Sequence, residues 1–541
     1  MKSEQKVYWP ETTIFWGAGA TASLGMSQTA QLGRLIRKLA NKEPITKERF
    51  EDYFGENTQK VIDLLVVLGN ELASNLFTVS KEESEAAQRL FCSLKEEQQK
   101  EHIVSLRETY DWDALKRIIG ITPDCETPGN FLRDLFNIID MHSRSGQGFY
   151  VEKDSSEEPY HIPCNRLIPA RNCLIMLVNL SFYFSYQTLL KQPGKLEPYI
   201  KFCMALSRAM QKEGFDRIGM SLKEREFYLF SYAVVSMNFD PLFLWLIFNA
   251  HRELNENPPY IGHPPQPMKL FHDFGIFMGV RAIGKIDWKI WYPFNETVVQ
   301  RINDEKYASG RRARIGKFYF PHGCSCWREC RNCGKLTAHF GDEWDFYSRS
   351  LFPNPLIPEI GYAEPRTAKE EKASDSRPDL IQCAYCGTPT YTCDTPMIMQ
   401  TSFKGDQPHY LEDIQRDLRV CLENTRHVVL MGYSLPPDDV IWRSTLAARK
   451  SRNRKEPVKC SVIVGFKGPK EWLSGEELRK YLKKNSDFGQ EHRSEHGIDA
   501  IISAKEIFGL ENIRAWTHGI PQVWQNKADI DENIKAIMNW C

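Results

Sequence analysis

Four cysteines form the most specific chemical pattern in the sequence. Cys330-x-x-Cys333 is followed by Cys383-x-x-Cys386, and a glycine follows each pair. Two such pairs can present four thiolates tetrahedrally to Zn²⁺, and four protein ligands close the coordination shell, so the pattern predicts a structural zinc. The loop between the pairs is longer than is usual for such sites. Nearby cysteines could substitute as ligands or be free thiols: Cys324, Cys326 and Cys393.

A redox role for the cysteine pairs is the weaker alternative. Redox-active C-x-x-C pairs are typical of a strand–helix unit, in which the pair opens the helix. Neither Cys330-x-x-Cys333 nor Cys383-x-x-Cys386 precedes a predicted helix. The sequence therefore favours metal binding.

A glycine-rich turn follows the first predicted strand. The strand is Thr12–Trp16, and the turn reads Gly17-Ala18-Gly19-Ala20-Thr21. Glycines permit a tight turn and let backbone N–H groups approach a phosphate. The turn is not a complete G-x-G-x-x-G, because residue 22 is alanine. An ordinary strand–helix turn is therefore the alternative.

An asparagine and an aspartate follow the hydrophobic strand predicted for Phe227–Ser236. In parallel α/β sheets, ligands bind beyond the carboxyl ends of the strands, where Asn238 and Asp240 are expected. The alternative is that the pair caps the next helix, which begins near Pro241.

Two more predicted strands end in polar residues. Lys317–Phe320 leads to His322, which could accept a proton near neutral pH, although a loop histidine or a zinc ligand is the alternative. The strand His427–Met431 leads to Gly432 and Ser434, a glycine and a hydroxyl suited to a ribose or a phosphate. A simple strand–helix loop is the alternative there.

The order of the elements predicts the fold class. Strand-then-helix units favour an α/β fold with a Rossmann-like parallel sheet. We expect residues 1–40 and 227–541 to form the catalytic domain, residues 41–226 to form a helical insertion, and residues 317–395 to form a zinc module. The remaining predicted strands are Val458–Val464 and Ile513–Trp516. The predicted helices are Thr29–Leu39, Lys60–Phe77, Ala86–Ile103, Phe131–Met141, Leu174–Leu190, Val440–Lys450, Trp472–Lys484 and Ile530–Trp540.

Composition limits the class of protein. Of 541 residues, 42% are hydrophobic, which excludes a mainly disordered chain; Lys+Arg and Asp+Glu are both 70, so net charge does not indicate a nucleic-acid binder. Asn172–Leu190 is uncharged and long enough to span a bilayer, but its polar residues favour a buried core helix without membrane insertion. Met1–Pro10 lacks the apolar segment of a secretory signal, so we expect a cytoplasmic protein with reduced thiols.

Taken in order, these motifs resemble the sirtuin family. Its NAD-binding domain carries a GAG turn, an N-I-D segment, an H-G, a four-cysteine zinc module and a later G-x-S. The match covers roughly residues 8–40 and 227–525. The resemblance implies that Gly17, Ala18 and Gly19 bind the NAD phosphates, with Thr21 where the family often has serine.

The same resemblance implies roles for the other motif residues. Asn238 would orient the nicotinamide ribose or a water, and Asp240 would hold the nicotinamide carboxamide. His322 would be the general base acting on a ribose hydroxyl. Gly432 and Ser434 would line the ribose–phosphate side of the cofactor, and the four cysteines would bind zinc away from the chemistry.

Differences from the protein-deacylating sirtuins indicate which branch of the family the sequence resembles. Their Asp, Phe and Arg after the GAG turn are missing from Gly25-Met26-Ser27-Gln28-Thr29, and Met237 replaces the family's Gln before Asn238. A long helical block also separates the two motifs. The sequence is therefore similar to bacterial sirtuin-like effectors that hydrolyse NAD⁺ in antiphage defence.

These features lead to an expected function and two alternatives. We expect an NAD⁺ glycohydrolase, triggered by infection or by a regulatory or sensor protein partner, in a homo-oligomer. An NAD-dependent lysine deacylase is the first alternative, and a non-catalytic NAD or ADP-ribose sensor is the second.

Overall fold

A computed structural model of the chain describes most of residues 227–541, the start of the chain and part of the helical block. The described residues are 10–26, 109–122, 128–151, 159–215, 230–256, 268–293, 312–353, 381–399, 408–448, 457–485, 487 and 489–540, except 284, 286 and 438. Three helices predicted above lie outside these ranges: Thr29–Leu39, Lys60–Phe77 and Ala86–Ile103.

The described strands form two larger sheets and a hairpin. In chain order they are β1 (Thr12–Trp16), β2 (Phe149–Val151), β3 (Tyr160–Ile162), β4 (Phe230–Ser236), β5 (Met268–Asp273), β6 (Met278–Arg281), β7 (Trp288–Trp291), β8 (Arg312–Tyr319), β9 (Trp327–Glu329), β10 (Leu336–His339), β11 (His427–Met431), β12 (Lys459–Ile463), β13 (Leu473–Ser474) and β14 (Ile513–Trp516).

Twelve α-helices lie in the same ranges. They are α1 (Ala18–Thr21), α2 (Trp112–Ile121), α3 (Pro128–Ser145), α4 (Leu167–Leu190), α5 (Glu197–Phe215), α6 (Leu242–Glu256), α7 (His409–Asn424), α8 (Val440–Ala448), α9 (Gly475–Lys484), α10 (Gln490–Glu495), α11 (Ile498–Phe508) and α12 (Ile530–Met538).

The main sheet is an eight-stranded, mostly parallel sheet, in agreement with the predicted fold class. Its order is β13-β14-β12-β11-β1-β4-β8-β5, and only the edge strand β13 runs antiparallel. All five residues of β1 are buried, as expected for a central strand covered on both faces. The chain leaves β1 toward β4 and later returns to β11 on the other side. The carboxyl ends of β1 and β11 therefore form a topological switch point, where ligands bind in such sheets.

The strands predicted from sequence are confirmed, and one helix begins later than predicted. Trp472–Lys484 was expected to be a helix throughout, but Leu473 and Ser474 pair antiparallel with β14. Gly475 then takes a positive φ of 50° at the start of α9. Sheet pairing across 40 residues of chain overrides the local helical pattern here.

The apolar helix α4 belongs to the protein interior. One helix of the described chain, Cys164–Leu190, is long and apolar enough to cross a membrane, and 73% of its most apolar window is buried inside the protein. Its first half packs with α2 and α3 in a small core of their own, and its second half reaches the main core. This burial supports the interpretation as a core helix.

The described part of the helical block is attached to the sheet through α5. Tyr199, Phe202 and Leu206 of α5 are buried in the main hydrophobic core. The block also contains the β2–β3 hairpin. The four-stranded sheet β7-β6-β10-β9 forms a separate module beside α6, in which β6 and β10 are parallel and the outer strands are antiparallel.

Candidate active site and metal centre

One cavity of about 490 Å³ opens at the carboxyl ends of the central strands. This volume is typical of a small-molecule site. The cavity is lined by every residue proposed above for cofactor binding or catalysis: Gly17, Ala18, Gly19, Thr21, Asn238, Asp240, His322, Gly432 and Ser434. The fold thus brings together motifs separated by more than 400 residues of sequence.

The two glycine turns fit into each other at the switch point. Gly17 N–H donates to Met431 O at 3.0 Å, and Gly19 N–H donates to Gly432 O at 3.0 Å. Gly432 has a positive φ of 61°. A Cβ on Gly432 would lie 1.9 Å from the Ala20 nitrogen, so only glycine fits there.

Asn238 and Asp240 enter the cavity from the end of β4. Asp240 Oδ1 accepts a hydrogen bond from Leu242 N–H at 3.1 Å, so the predicted capping role is also present. Burial raises the pKa of Asp240 to about 6, although the Leu242 N–H lowers it in part. The Asn238 amide lies near enough to lower this pKa further, yet its Nδ2 makes no well-formed hydrogen bond with any described residue.

A buried amide at the cavity wall without a well-formed hydrogen bond is a feature that points to a ligand. A buried N–H without a partner costs about 1–3 kcal/mol, so such groups are uncommon unless something else binds them. Asn238 is 7% exposed. Its Nδ2 could donate to a ribose oxygen, a water or a carbonyl.

The loop carrying His322 is fixed by two segments, residues 396–398 and the helix α7. His322 O accepts from Ile398 N–H at 2.9 Å, and Gln415 Nε2 donates to Pro321 O at 3.0 Å. Gly323 has a φ of 82°, and a Cβ there would lie 1.7 Å from Pro396 O. The imidazole of His322 is 8% exposed and lies against the cavity, where it could exchange protons with a bound molecule.

Sequence reasoning missed Asp439, which lies beside His322. Asp439 Oδ1 is 3.5 Å from His322 Nε2, and Asp439 Oδ2 accepts a short hydrogen bond from Tyr433 Oη. Asp439 is 4% exposed and lines the cavity. The only signal in the sequence is a pair of aspartates after Gly432-Tyr433-Ser434-Leu435-Pro436-Pro437, which reads as the start of a helix.

The cavity continues to the end of β12, which the sequence analysis also did not assign. Gly465 lines this part together with Arg493 and Asp499. Arg493 Nε donates to Asp499 Oδ1 at 2.9 Å. This ion pair places both a cation and an anion near the cavity entrance.

Apolar side chains from the helical block, together with Met399, form a roof over the polar residues. The roof residues are Leu132, Phe136, Val178, Phe182 and Met399, and Ser181 lies beside them. Phe239, between Asn238 and Asp240, packs against the same apolar cluster. The roof therefore covers the part of the cavity that holds Asn238, Asp240 and His322.

The four predicted metal ligands lie close together in two turns beside the four-stranded sheet β7-β6-β10-β9. The Sγ atoms of Cys330, Cys333, Cys383 and Cys386 all lie within 4.8 Å of one another, and none is in a disulfide. The closest pairs are Cys330–Cys386 at 3.5 Å and Cys333–Cys383 at 3.6 Å. Ligands at 2.3 Å from a tetrahedral zinc would be separated by about 3.8 Å, so the cluster could hold a metal ion such as zinc.

The two cysteine pairs have the same backbone hydrogen-bond pattern. In each, the N–H of the first cysteine donates to the carbonyl five residues later, and the N–H of the glycine donates back to that cysteine's carbonyl. The glycines Gly334 and Gly387 have φ of 65° and 73°. These matched turns hold the four thiols in position to bind one metal ion. None of the four cysteines lines the cavity.

Comparison of the sequence with protein-family models and with curated proteins gives no match. Functional inference for this chain therefore depends on its motifs and on their geometry.

Proposed function

We propose that this protein is an NAD⁺ glycohydrolase that cleaves NAD⁺ to nicotinamide and ADP-ribose. The observation that carries the proposal is the meeting of Asn238, Asp240 and His322 with both glycine turns in one cavity. An amide, a carboxyl group and an imidazole beside a crevice at the switch point suit a nucleotide whose sugar must react.

The chemistry requires little acid catalysis. The bond between ribose C1′ and the pyridinium nitrogen breaks, and its electron pair neutralises the departing nicotinamide ring. A water oxygen bonds to C1′ and releases one proton, which gives ADP-ribose, nicotinamide and H⁺. The protein must hold the leaving ring, stabilise a cationic sugar and accept a proton.

The three polar residues have complementary roles in this proposal. The Asn238 amide binds a ribose hydroxyl or the attacking water, because its Nδ2 lacks a well-formed hydrogen bond among the described residues. Asp240 accepts from the nicotinamide carboxamide and, when ionised, stabilises the cationic sugar. His322 acts as the general base. The interlocked turns at Gly17 and Gly432 bind the pyrophosphate and its ribose.

The apolar roof favours water over a peptide as the acceptor. Leu132, Phe136 and Val178 each have 2% exposure or less and occupy the space above Phe239. In this proposal C1′ lies beneath this layer, so an acyl-lysine side chain would have to pass it. A small nucleophile such as water has no such requirement, and a closed apolar roof also limits bulk solvent at the reacting sugar.

A non-catalytic NAD or ADP-ribose sensor is the other alternative. A sensor requires the glycine turns and a polar site for the ring, but it has no need of a base. The buried pairing of His322 with Asp439 favours an enzyme.

Incubation with NAD⁺ in the presence and absence of an acetyl-lysine peptide tests the proposal. We expect equal amounts of nicotinamide and ADP-ribose without peptide, with no loss of the acetyl group when peptide is present. Nicotinamide release only with the acetylated peptide would establish the deacylase. Binding of NAD⁺ without turnover, both alone and in cell extract, would favour the sensor.

The proposal extends to a role in antiphage defence, on the basis of the sirtuin-like motifs. In that role the protein would be cytoplasmic, activated by a protein partner or by homo-oligomer assembly, and stabilised by a structural zinc. Cellular NAD⁺ should fall after phage infection in bacteria that express the wild type and stay constant with Asn238→Ala. Equal NAD⁺ levels in the two strains would exclude the role.

A further inference from the structure

A buried carboxylate lies beside the imidazole of His322. Asp439 Oδ1 lies 3.5 Å from His322 Nε2, and Tyr433 Oη donates to the other carboxylate oxygen. Both His322 and Asp439 have exposures below 10%. The two residues come from different loops, one after β8 and one before α8.

The arrangement determines which nitrogen of His322 can accept a proton. A carboxylate beside Nε2 favours the tautomer with hydrogen on Nε2, which leaves the lone pair on Nδ1. The same carboxylate stabilises the imidazolium once Nδ1 has taken a proton. A separation of 3.5 Å is long for a hydrogen bond, but catalytic contacts of this kind commonly shorten when substrate binds.

Tyr433 fixes the orientation of the carboxylate. Its hydroxyl donates to Asp439 Oδ2, and its ring stacks on Phe15 of β1 at 5.6 Å between centroids. Tyr433 is 5% exposed. The chain of contacts therefore runs from the central strand through Tyr433 and Asp439 to His322.

We propose that Asp439 is a positioning residue, which orients His322 and raises its basicity for the proposed reaction. This inference rests on the proposed function, because it assigns the partner of the proposed base. Asp439 acts through His322 and transfers no proton itself.

Other charged groups share the cavity and must be separated from His322 in any pH experiment. They are Asp240, Arg493 and Asp499, with Tyr433 joined to Asp439. Burial raises the pKa of Asp240 to about 6. The acid limb of a pH profile therefore contains Asp240 as well as His322, so kcat is needed beside the position of the limb.

The kinetic test compares the wild type with Asp439→Asn, a substitution that keeps the shape of the side chain and removes its charge. We expect nicotinamide release to fall at least tenfold in kcat, with KM within threefold. Any movement of the acid limb should be toward lower pH, because an adjacent negative charge has been lost. An unchanged kcat together with an unmoved acid limb in folded Asp439→Asn would overturn the proposal.

A matched variant distinguishes positioning from a general charge effect. Asp499→Asn removes another carboxylate of the same cavity, one that pairs with Arg493 rather than with His322. Its acid limb should stay at the wild-type pH, whatever happens to its KM. An equal shift in both variants would also overturn the proposal.

A spectroscopic test keeps the proposal falsifiable if Asp439→Asn fails to fold. In protein labelled with ¹⁵N-histidine, the His322 signals are identified by their loss in His322→Gln. The neutral imidazole should carry its hydrogen on Nε2, and a hydrogen on Nδ1 would contradict the proposal. This measurement needs no turnover, so it tests the role of Asp439 independently of the proposed reaction. An error in the proposed function would instead appear as an absence of nicotinamide release by the wild type.

Discussion

Gly17 and Gly432 lie so close together that neither could carry a side chain. A Cβ on Gly17 would lie 2.5 Å from Gly432 O, and a Cβ on Gly432 would lie 1.9 Å from Ala20 N. The turns after β1 and β11 are therefore one structural unit. Any phosphate site at the switch point depends on both.

Gly432→Ala should therefore disrupt the site and the fold together. Gly432 combines a positive φ with direct backbone contact, so we expect a loss of at least about 3 kcal/mol in the free energy of unfolding. Gly25→Ala is the matched control, because Gly25 has a φ of 78° but open space around its Cβ. It should lose only about 1 kcal/mol. Equal losses in urea unfolding would contradict this account of the turns.

Asp240→Asn should stabilise the protein at neutral pH while reducing its activity. Burial raises the pKa of Asp240 from 3.8 to about 6, so the native state holds a proton that the unfolded chain has already lost. Stability therefore falls as pH rises through this window, by about 3 kcal/mol for 2.2 units at 1.36 kcal/mol each.

Asparagine carries no charge to bury and can still cap α6. We expect Asp240→Asn to exceed the wild type by up to about 3 kcal/mol at pH 7 and to match it near pH 4. Urea unfolding at the two pH values measures this difference. A variant less stable than the wild type at pH 7 would show that the charged carboxylate is already compensated in the folded protein.

Asn238→Ala should separate function from stability. Its Nδ2 makes no well-formed hydrogen bond with a described residue, so its removal should not lower the free energy of unfolding by more than about 1 kcal/mol. Nicotinamide release should fall at least 100-fold. Asn249→Ala is the control: it is a buried asparagine outside the cavity, and its Nδ2 donates to Trp245 O.

Asn249→Ala should show the opposite pattern, with a loss of about 1 kcal/mol in stability and wild-type turnover. Thermal unfolding and nicotinamide release are measured on the same preparations. If both variants retain turnover, Asn238 has no part in the reaction.

Removal of one proposed zinc ligand should affect stability rather than chemistry. We expect metal analysis to find one zinc per wild-type chain, and Cys333→Ser to lose it with a fall in Tm of at least 5 °C. Cys164→Ser is the control, because Cys164 lies outside the cluster and its thiol contacts Ser143 O. Wild-type protein that contains no metal after growth with zinc would refute the structural zinc.

Local sequence was sufficient for the elements that form the site. The strand His427–Met431 and the strand Thr12–Trp16 have the predicted bounds, because buried parallel strands are short apolar runs that end at glycine turns. The predicted ends of β4 and β8 placed Asn238, Asp240 and His322 at the same edge of the sheet. The two C-x-x-C pairs predicted the four-thiol cluster, because each pair forms its own turn and presents two thiols together.

Long-range contacts were not predictable in the same way. Nothing near Asp439 in the sequence indicates that it faces His322, since the pairing depends on how two loops meet across the sheet. Phe136 and Val178 read as core residues of helices, and their position over Phe239 follows from the docking of the helical block. The start of α9 was misplaced because β13 pairs with a strand that comes 40 residues later.

The most direct test of the central claim is ¹H NMR of NAD⁺ incubated with the purified wild type, Asn238→Ala and His322→Gln, each with and without an extract of phage-infected cells as a source of activator. The account predicts stoichiometric nicotinamide and ADP-ribose from the wild type and at least 100-fold slower release from both variants, with all three folded. NAD⁺ that the wild type neither binds nor consumes at millimolar concentration, or equal turnover by all three proteins, would contradict it.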